Sequence, residues 1–248
     1  MARILVPLPL TDFDPTEVAV PCAALAEAGH DVVFATGSGG VAEADQKTLG
    51  RGEGPLPQNS LWAHADNRAL YDRLAADSAF RSPICWADAT MADFDAILFP
   101  GGHGPGMRPY CESADVQRLA AEAFAAGKLV AAICHGVLPL ARARQEDGRP
   151  LLESRRTTSL TGIMERLSIW MTRGKLGDHY RTYPETVETE TRRAIGSRGA
   201  YLRGPLLPSY ATRERPDLGF IVEDGDYLSA RWPGDAWTLA ARMVERLA

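Results

Sequence analysis

Short apolar runs rich in Val, Ile, Leu and Phe recur along this chain. Each is followed by a glycine-containing turn and then by residues at helical spacing, which is how buried parallel strands with crossover helices read. Four runs stand out as strands: Arg3 to Val6, Asp31 to Ala35, Ala96 to Phe99 and Leu129 to Ile133. Between the first two, Thr16 to Ala28 places Val18, Val20, Leu25 and several alanines where a helix can cover a sheet, and Gly29 supplies its stop. Glu112 to Ala126 reads as the helix before the Leu129 strand and Gly136 to Arg144 as the one after it. The pattern predicts a doubly wound α/β fold, a mostly parallel sheet between helices. Residues 41–86 interrupt it with little strand character and read as an insertion, carrying Trp62, His64 and Tyr71, that can roof a site. In the last third the pattern predicts a strand over Thr157 to Thr161 and a helix over Ile163 to Thr172. Two short strands around the Asp224-Gly225 turn follow, within Gly219 to Arg231, and an amphipathic helix from Ala236 to Leu247 closes the chain, with Leu239, Met243 and Leu247 on one face.

No linker, charge block or fixed-period repeat divides the 248 residues, so a single domain over 1–248 is expected. The formal charge is −5 and the basic residues are scattered among acidic ones, which builds no positive stripe for a phosphate backbone and argues against nucleic acid as a partner. The first apolar run breaks at Pro7 and Pro9, too short for a signal peptide or a spanning helix; a cytoplasmic protein with no membrane partner is expected. Cys22, Cys85, Cys111 and Cys134 occur singly, with no Cys-x-x-Cys pair. That argues against a disulfide scaffold and a structural zinc site, and leaves open whether one thiol is chemically special.

One is set apart by its surroundings. Val130-Ala131-Ala132-Ile133-Cys134-His135-Gly136-Val137 is a buried strand running straight into Cys-His-Gly and then a helix, the pattern of a nucleophile elbow. The small neighbours Ala132 and Gly136 let the turn close, and a thiol at a helix N-terminus is expected to have a lowered pKa. A second strand runs into Pro100-Gly101-Gly102-His103-Gly104-Pro105-Gly106, whose glycines free backbone N–H groups to face a cavity, as an oxyanion site requires. There is no Gly-Lys-Ser/Thr ending and no G-x-G-x-x-G to make this a phosphate loop. His103 reads equally as a ligand, a substrate contact or a turn residue. In Asp14-Pro15-Thr16-Glu17, Asp14 as N-cap and Glu17 three residues on make a capping box. The same loop opens at the carboxyl edge of the sheet, so Glu17 can also face the thiol.

Glu17, the Pro100-Gly101-Gly102-His103-Gly104 turn and Ala132-Ile133-Cys134-His135-Gly136 come in the order and rough spacing of the ThiJ/PfpI superfamily. The chain resembles that superfamily over most of its length, above all its larger branch of glutathione-independent glyoxalases and chaperone-like stress proteins. The resemblance is weakest over 41–86 and 178–216. It implies a flavodoxin-like sandwich in which Cys134 is the nucleophile, Glu17 a carboxyl hydrogen-bonded near the sulfur, and His135 the partner imidazole. The backbone around Gly102, His103 and His135 would form the oxyanion and substrate-binding site, and Glu165 would be the carboxylate that orients the histidine, with Asp178 or Glu153 as alternatives. The implied activity is a cysteine-dependent lyase of the glyoxalase III type that converts a small carbonyl, an α-ketoaldehyde such as methylglyoxal, to a hydroxy acid, with no metal or other cofactor and in a homodimer. The same superfamily holds hydrolases, hydratases and redox-sensing or holdase-type stress proteins. Glutamine amidotransfer is disfavoured, because no His-x-Glu pair follows Cys134.

Overall fold

The first apolar run forms β1 (Arg3–Pro7), in which Ile4, Leu5 and Val6 are all fully buried, as a strand covered on both faces requires. The computed structural model describes residues 1–51 and 61–248. In chain order, β1 is followed by α1 (Pro15–Glu27), β2 (Asp31–Thr36), α2 (Ala65–Ala76), β3 (Ile84–Cys85), β4 (Ala96–Phe99), α3 (Met107–Glu112), α4 (Ala114–Ala125), β5 (Leu129–Ile133) and α5 (Val137–Arg142). Then come β6 (Arg156–Thr157), α6 (Gly162–Leu176), α7 (Val187–Ile195), β7 (Ala200–Tyr201), β8 (Ile221–Asp224), β9 (Tyr227–Ala230) and α8 (Ala236–Leu247). The main sheet has the order β3-β2-β1-β4-β5-β9-β8, parallel except for β8, which pairs antiparallel with β9. Helices α1, α2 and α8 pack together, while α5 packs against α3, α4 and α7. This is a mostly parallel sheet between helix layers, the doubly wound α/β fold expected from the pattern.

From β1 the chain winds one way through α1 to β2 and on to β3, and then crosses to the other side of β1 to form β4, so the carboxyl ends of β1 and β4 flank the point where the strand order turns. Those ends deliver the 11–17 and 100–106 segments. The elbow after β5 arrives beside them because Phe99 of β4 is in register with Ala132 of β5.

Several elements differ from the sequence expectation. The second half of the 41–86 segment does not interrupt the winding: α2 and β3 make an ordinary β2-α2-β3 crossover, with Ala35 paired to Ile84. A strand of two residues carries too short a pattern to be legible. Residues 52–60 of that segment lie outside the described residues. The helix expected over 112–126 is two helices, because Ser113 leaves helical geometry and caps α4 through its hydroxyl, which accepts from Val116 N at 3.3 Å. The strand expected over 157–161 is β6 alone, paired to β7 in a separate two-stranded sheet. Helix α7, where the pattern predicted no element, buries Val187, Thr191, Ala194 and Ile195. Among the described residues no helix is long and apolar enough to cross a membrane.

Candidate active site

Cys134 follows directly on β5 with φ 59°, the left-handed region that costs an L-residue about 1–2 kcal/mol. Cys134 to Gly136 make one tight turn before α5 begins. Glycine is required at position 136 because a Cβ there would overlap the carbonyl of Phe99. It is required at position 101 because a Cβ would stand 2.7 Å from His135 N and 2.8 Å from Glu17 Oε2. Two strand ends and one helix start thus meet at backbone distance around the sulfur.

Asp14 is the N-cap of α1, its carboxylate accepting from Thr16 N at 2.8 Å and Glu17 N at 3.2 Å. Glu17 does not complete a capping box. The N–H of Asp14, which the box would assign to Glu17, instead donates to Gly101 O at 2.8 Å. The Glu17 side chain is fully buried and turns to the elbow, where Oε2 accepts from Gly101 N at 2.9 Å and Oε1 has no partner among the described residues. The Cys134 thiol is its neighbouring hydrogen-bonding group.

His135 lies fully buried with Nδ1 3.5 Å from the Cys134 sulfur, and its Nε2 has no hydrogen-bond partner among the described residues. His103 lies edge-on to it, ring centroids 4.7 Å apart, with its Nδ1 3.5 Å from Ser168 Oγ. Desolvation pushes the His103 pKa down to about 4 and holds His135 well below the usual histidine range, so both are neutral imidazoles at neutral pH. Glu165, expected to orient His135, makes its hydrogen bond elsewhere. Its Oε2 accepts from Val187 N at 2.9 Å, tying α6 to the first turn of α7, where an unpaired helical N–H is a strong partner for a carboxyl group. The alternatives are on the surface: Asp178 pairs with Arg173, and Glu153 with Arg149 and Arg198.

The electrostatics correct one expectation. Cys134 is 2% exposed, and burial, followed by the negative charge of Glu17, pushes its thiol well above the ordinary cysteine value; the His135 N–H opposes this but does not outweigh it. The turn is tight and α5 has six residues, so the helix terminus is a minor effect beside desolvation. Burial likewise raises Glu17 well above the usual carboxylate range. Each anion disfavours the other, so the pair holds at least one proton at neutral pH.

These raised carboxyls make stability fall with pH. Burial pushes both Asp14 and Glu165 up to about 7, and holds Glu17 well above the usual carboxylate range. Groups with a folded pKa above the unfolded one stabilise fully below the unfolded value and lose that contribution as pH rises through the folded value. The opposing contribution of His103 and His135, lowered by burial, fades as the unfolded histidines lose their protons through about pH 6.5, and two histidines offset only part of what three carboxyls lose. The melting temperature should therefore drop between pH 6.5 and pH 8; a flat or rising profile would mean that these carboxyls ionise normally.

Above the thiol lies a cavity of about 140 Å³. An apolar void of roughly 150 Å³ holds a benzene-sized molecule, so this one suits a ligand of about six heavy atoms. Gly102, His103, Glu17 and Cys134 line its floor; Trp62, Tyr180, Tyr210 and Trp232 supply aromatic walls. Most of the walls were not singled out from sequence. Tyr180 donates to Asp45 at 2.5 Å, and Tyr210 is held by Asn67 Nδ2 at 3.1 Å and stacks on His64. Met164 and Ser168, also in the lining, sit at i, i+4 on α6, the one signal a helical reading of that stretch offered.

Residues 8–196 match the model of the family described as ThiJ/PfpI family-like. An uncharacterised protein of Schizosaccharomyces pombe is 30% identical over 174 residues; the aligned stretch covers 67% of this chain and 61% of that protein, less than two thirds of the relative's length. Among solved structures, the Rapid Encystment Protein 24 KDa of Francisella tularensis superposes with a TM-score of 0.73 at 17% identity over the whole of both chains. Glyoxalase III from Candida albicans superposes with a TM-score of 0.69 at 17% identity, over 98% of this chain and 96% of that one. At such identities the likeness is one of fold.

Proposed function

The chain belongs to the ThiJ/PfpI-like family, and on that footing we propose that it is a cysteine-dependent enzyme that converts a small α-ketoaldehyde, with methylglyoxal as the test case, to the hydroxy acid without glutathione or metal. The single observation that carries this reading is the left-handed Cys134 at the floor of a cavity of about 140 Å³, between a neutral carboxyl group and a neutral imidazole. The fold likeness to a glyoxalase III is consistent with it.

In this mechanism His135 takes the thiol proton as the sulfur adds to the aldehyde carbon. Glu17, protonated at rest, gives its proton to the aldehyde oxygen and so forms a hemithioacetal. The amides of Gly102 and His103, whose residues line the cavity, are the donors assigned to the developing oxyanion. Glu17, now a carboxylate, removes the hydrogen from the former aldehyde carbon while protonated His135 gives its proton to the ketone oxygen, forming an enediol. Glu17 then returns its proton to the neighbouring carbon as His135 takes the proton of the former aldehyde oxygen, which leaves a thioester of the hydroxy acid. Water cleaves the thioester, releasing the acid and the thiol. The raised pKa of the thiol implies that the nucleophile is made on demand by His135 rather than stored as thiolate.

The experiment measures product. In buffer treated with EDTA, lactate should accumulate to many equivalents of enzyme from methylglyoxal, and none should form with Cys134→Ser. Disappearance of the ketoaldehyde alone is insufficient, because arginines and thiols consume it stoichiometrically. One equivalent retained as a covalent adduct, with no free lactate, would overturn the reading in favour of a sensor or a hydratase.

A further inference from the structure

One nitrogen from each of His103 and His135 and the sulfur of Cys134 all lie within 4.8 Å of one another. The first comes from the turn after β4 and the other two from the elbow after β5, and the direct pairing of those strands fixes the spacing. A tetrahedral ion with metal–sulfur bonds of about 2.3 Å and metal–nitrogen bonds of about 2.0–2.1 Å needs ligand-to-ligand edges of roughly 3.3–3.6 Å. The Cys134 sulfur and His135 Nδ1, 3.5 Å apart, already stand at such an edge. The remaining edges need a contraction of at most about 1.5 Å, within the reach of side-chain rotation.

The surroundings favour a cation. His135 Nδ1 has the Cys134 sulfur beside it and no other hydrogen-bond partner among the described residues, and Ser168 Oγ stands beside His103 Nδ1, as an outer hydrogen-bonding group that orients a ligating imidazole would. The described cavity lining includes the carboxyl groups of Asp12, Asp14, Glu17 and Asp45, those that rest protonated being able to release a proton to an arriving cation, and no lysine or arginine. Three protein ligands with an open cavity on the fourth side leave a position for water.

We propose that His103, Cys134 and His135 form a binding site for a borderline-soft divalent cation of the zinc class, whose occupancy blocks the Cys134 nucleophile. Binding replaces the thiol S–H bond by a sulfur–metal bond and releases the proton to solvent, with no change of oxidation state. Chelation reverses it, so the enzyme is active metal-free and silenced when loaded. The inference needs only the three ligands and does not depend on which carbonyl the enzyme turns over.

The test uses the full chain stripped with EDTA and titrated with Co²⁺, then with Zn²⁺ as competitor. One equivalent of Co²⁺ should produce a near-ultraviolet thiolate-to-cobalt absorption that Zn²⁺ abolishes. Zn²⁺ should protect Cys134 from iodoacetamide, and EDTA should restore labelling. Cys134→Ser should lose the absorption, and His103→Ala should bind more weakly by more than the roughly 10–100-fold that loss of an outer hydrogen-bonding partner costs. His103→Gln serves as a second variant, with melting temperature as the control for folding. Absence of the band and of protection at stoichiometric metal overturns the proposal. So does unchanged affinity in both folded His103 variants. Both readouts are made without substrate, so they stand or fall apart from lactate formation.

Discussion

Glu17→Gln should lose about 10²–10⁴-fold in kcat while melting within a few degrees of the parent protein, because the change removes a titratable proton and little else. The amide oxygen of Gln can still accept from Gly101 N, a bond of 2.9 Å in the parent. The cap of α1 is Asp14 and is untouched. A second readout separates chemistry from architecture. Burial keeps the Glu17 proton on at rest, so a neutral amide leaves the charge beside the thiol unchanged. Iodoacetamide should then label Cys134 in the Gln variant at least as fast as in the parent at pH 7 to 8. The variant would have an equally available thiol and almost no turnover. Activity within threefold of the parent would remove Glu17 from the mechanism, and loss of labelling together with a large fall in melting temperature would make it a structural residue.

The largest stability effect is expected at the turn that carries Trp232. Arg231 and Asp235 are 1% and 0% exposed at the side chain and form a two-pronged ion pair, Nε to Oδ2 at 2.8 Å and Nη2 to Oδ1 at 2.9 Å. Asp235 also accepts from Phe220 N at 2.8 Å and Arg231 N at 3.1 Å, and Arg231 reaches the carbonyls of Arg203 and Pro205. Asp235→Ala would leave a guanidinium in the interior with carbonyls alone and two backbone N–H groups unpaired, a loss of about 3–5 kcal/mol. In a chain of this size that lowers the melting temperature by on the order of 10 °C. Replacing both partners by apolar residues, Arg231→Met with Asp235→Leu, should recover the part of the loss that comes from the unpaired guanidinium, since the pair's attraction is largely offset by its own desolvation, and leave the part that comes from the two backbone N–H groups. Trp232 and Pro233 line the cavity between the two residues, so the single variant should also raise KM. A single variant that melts within 2 °C of the parent would show that the pair contributes nothing.

Cys134 and Gly136 are legible in the sequence alone, since strand, elbow and helix follow one another locally. The strands β1, β2, β4 and β5 are equally legible, because burial on both faces, complete in β4 and β5 and confined to the second half of β2, forces apolar runs. The sequence leaves Glu17 open between cap and site, and the rival hydrogen bond that decides it, Asp14 N to Gly101 O, joins residues 87 positions apart. Glu165 is drawn toward the elbow by resemblance alone, and the free N–H of Val187 claims it instead.

The sign of the Cys134 pKa shift shows the division most clearly. A thiol at a helix start reads as acidic from sequence, since position in an element is a local property. Burial is not local: the elbow lies under residues from α1, α6, the 61–63 segment and the turn after β9, and their combined desolvation outweighs the helix terminus. Local order along the chain determined the strands, the elbow and its glycines, because periodicity and turn chemistry act over a few residues. Only the tertiary structure decided which side chains wall the cavity, where β9 inserts beside β5 after about ninety intervening residues, and which groups keep their protons, because these depend on contacts between segments whose spacing no local pattern records.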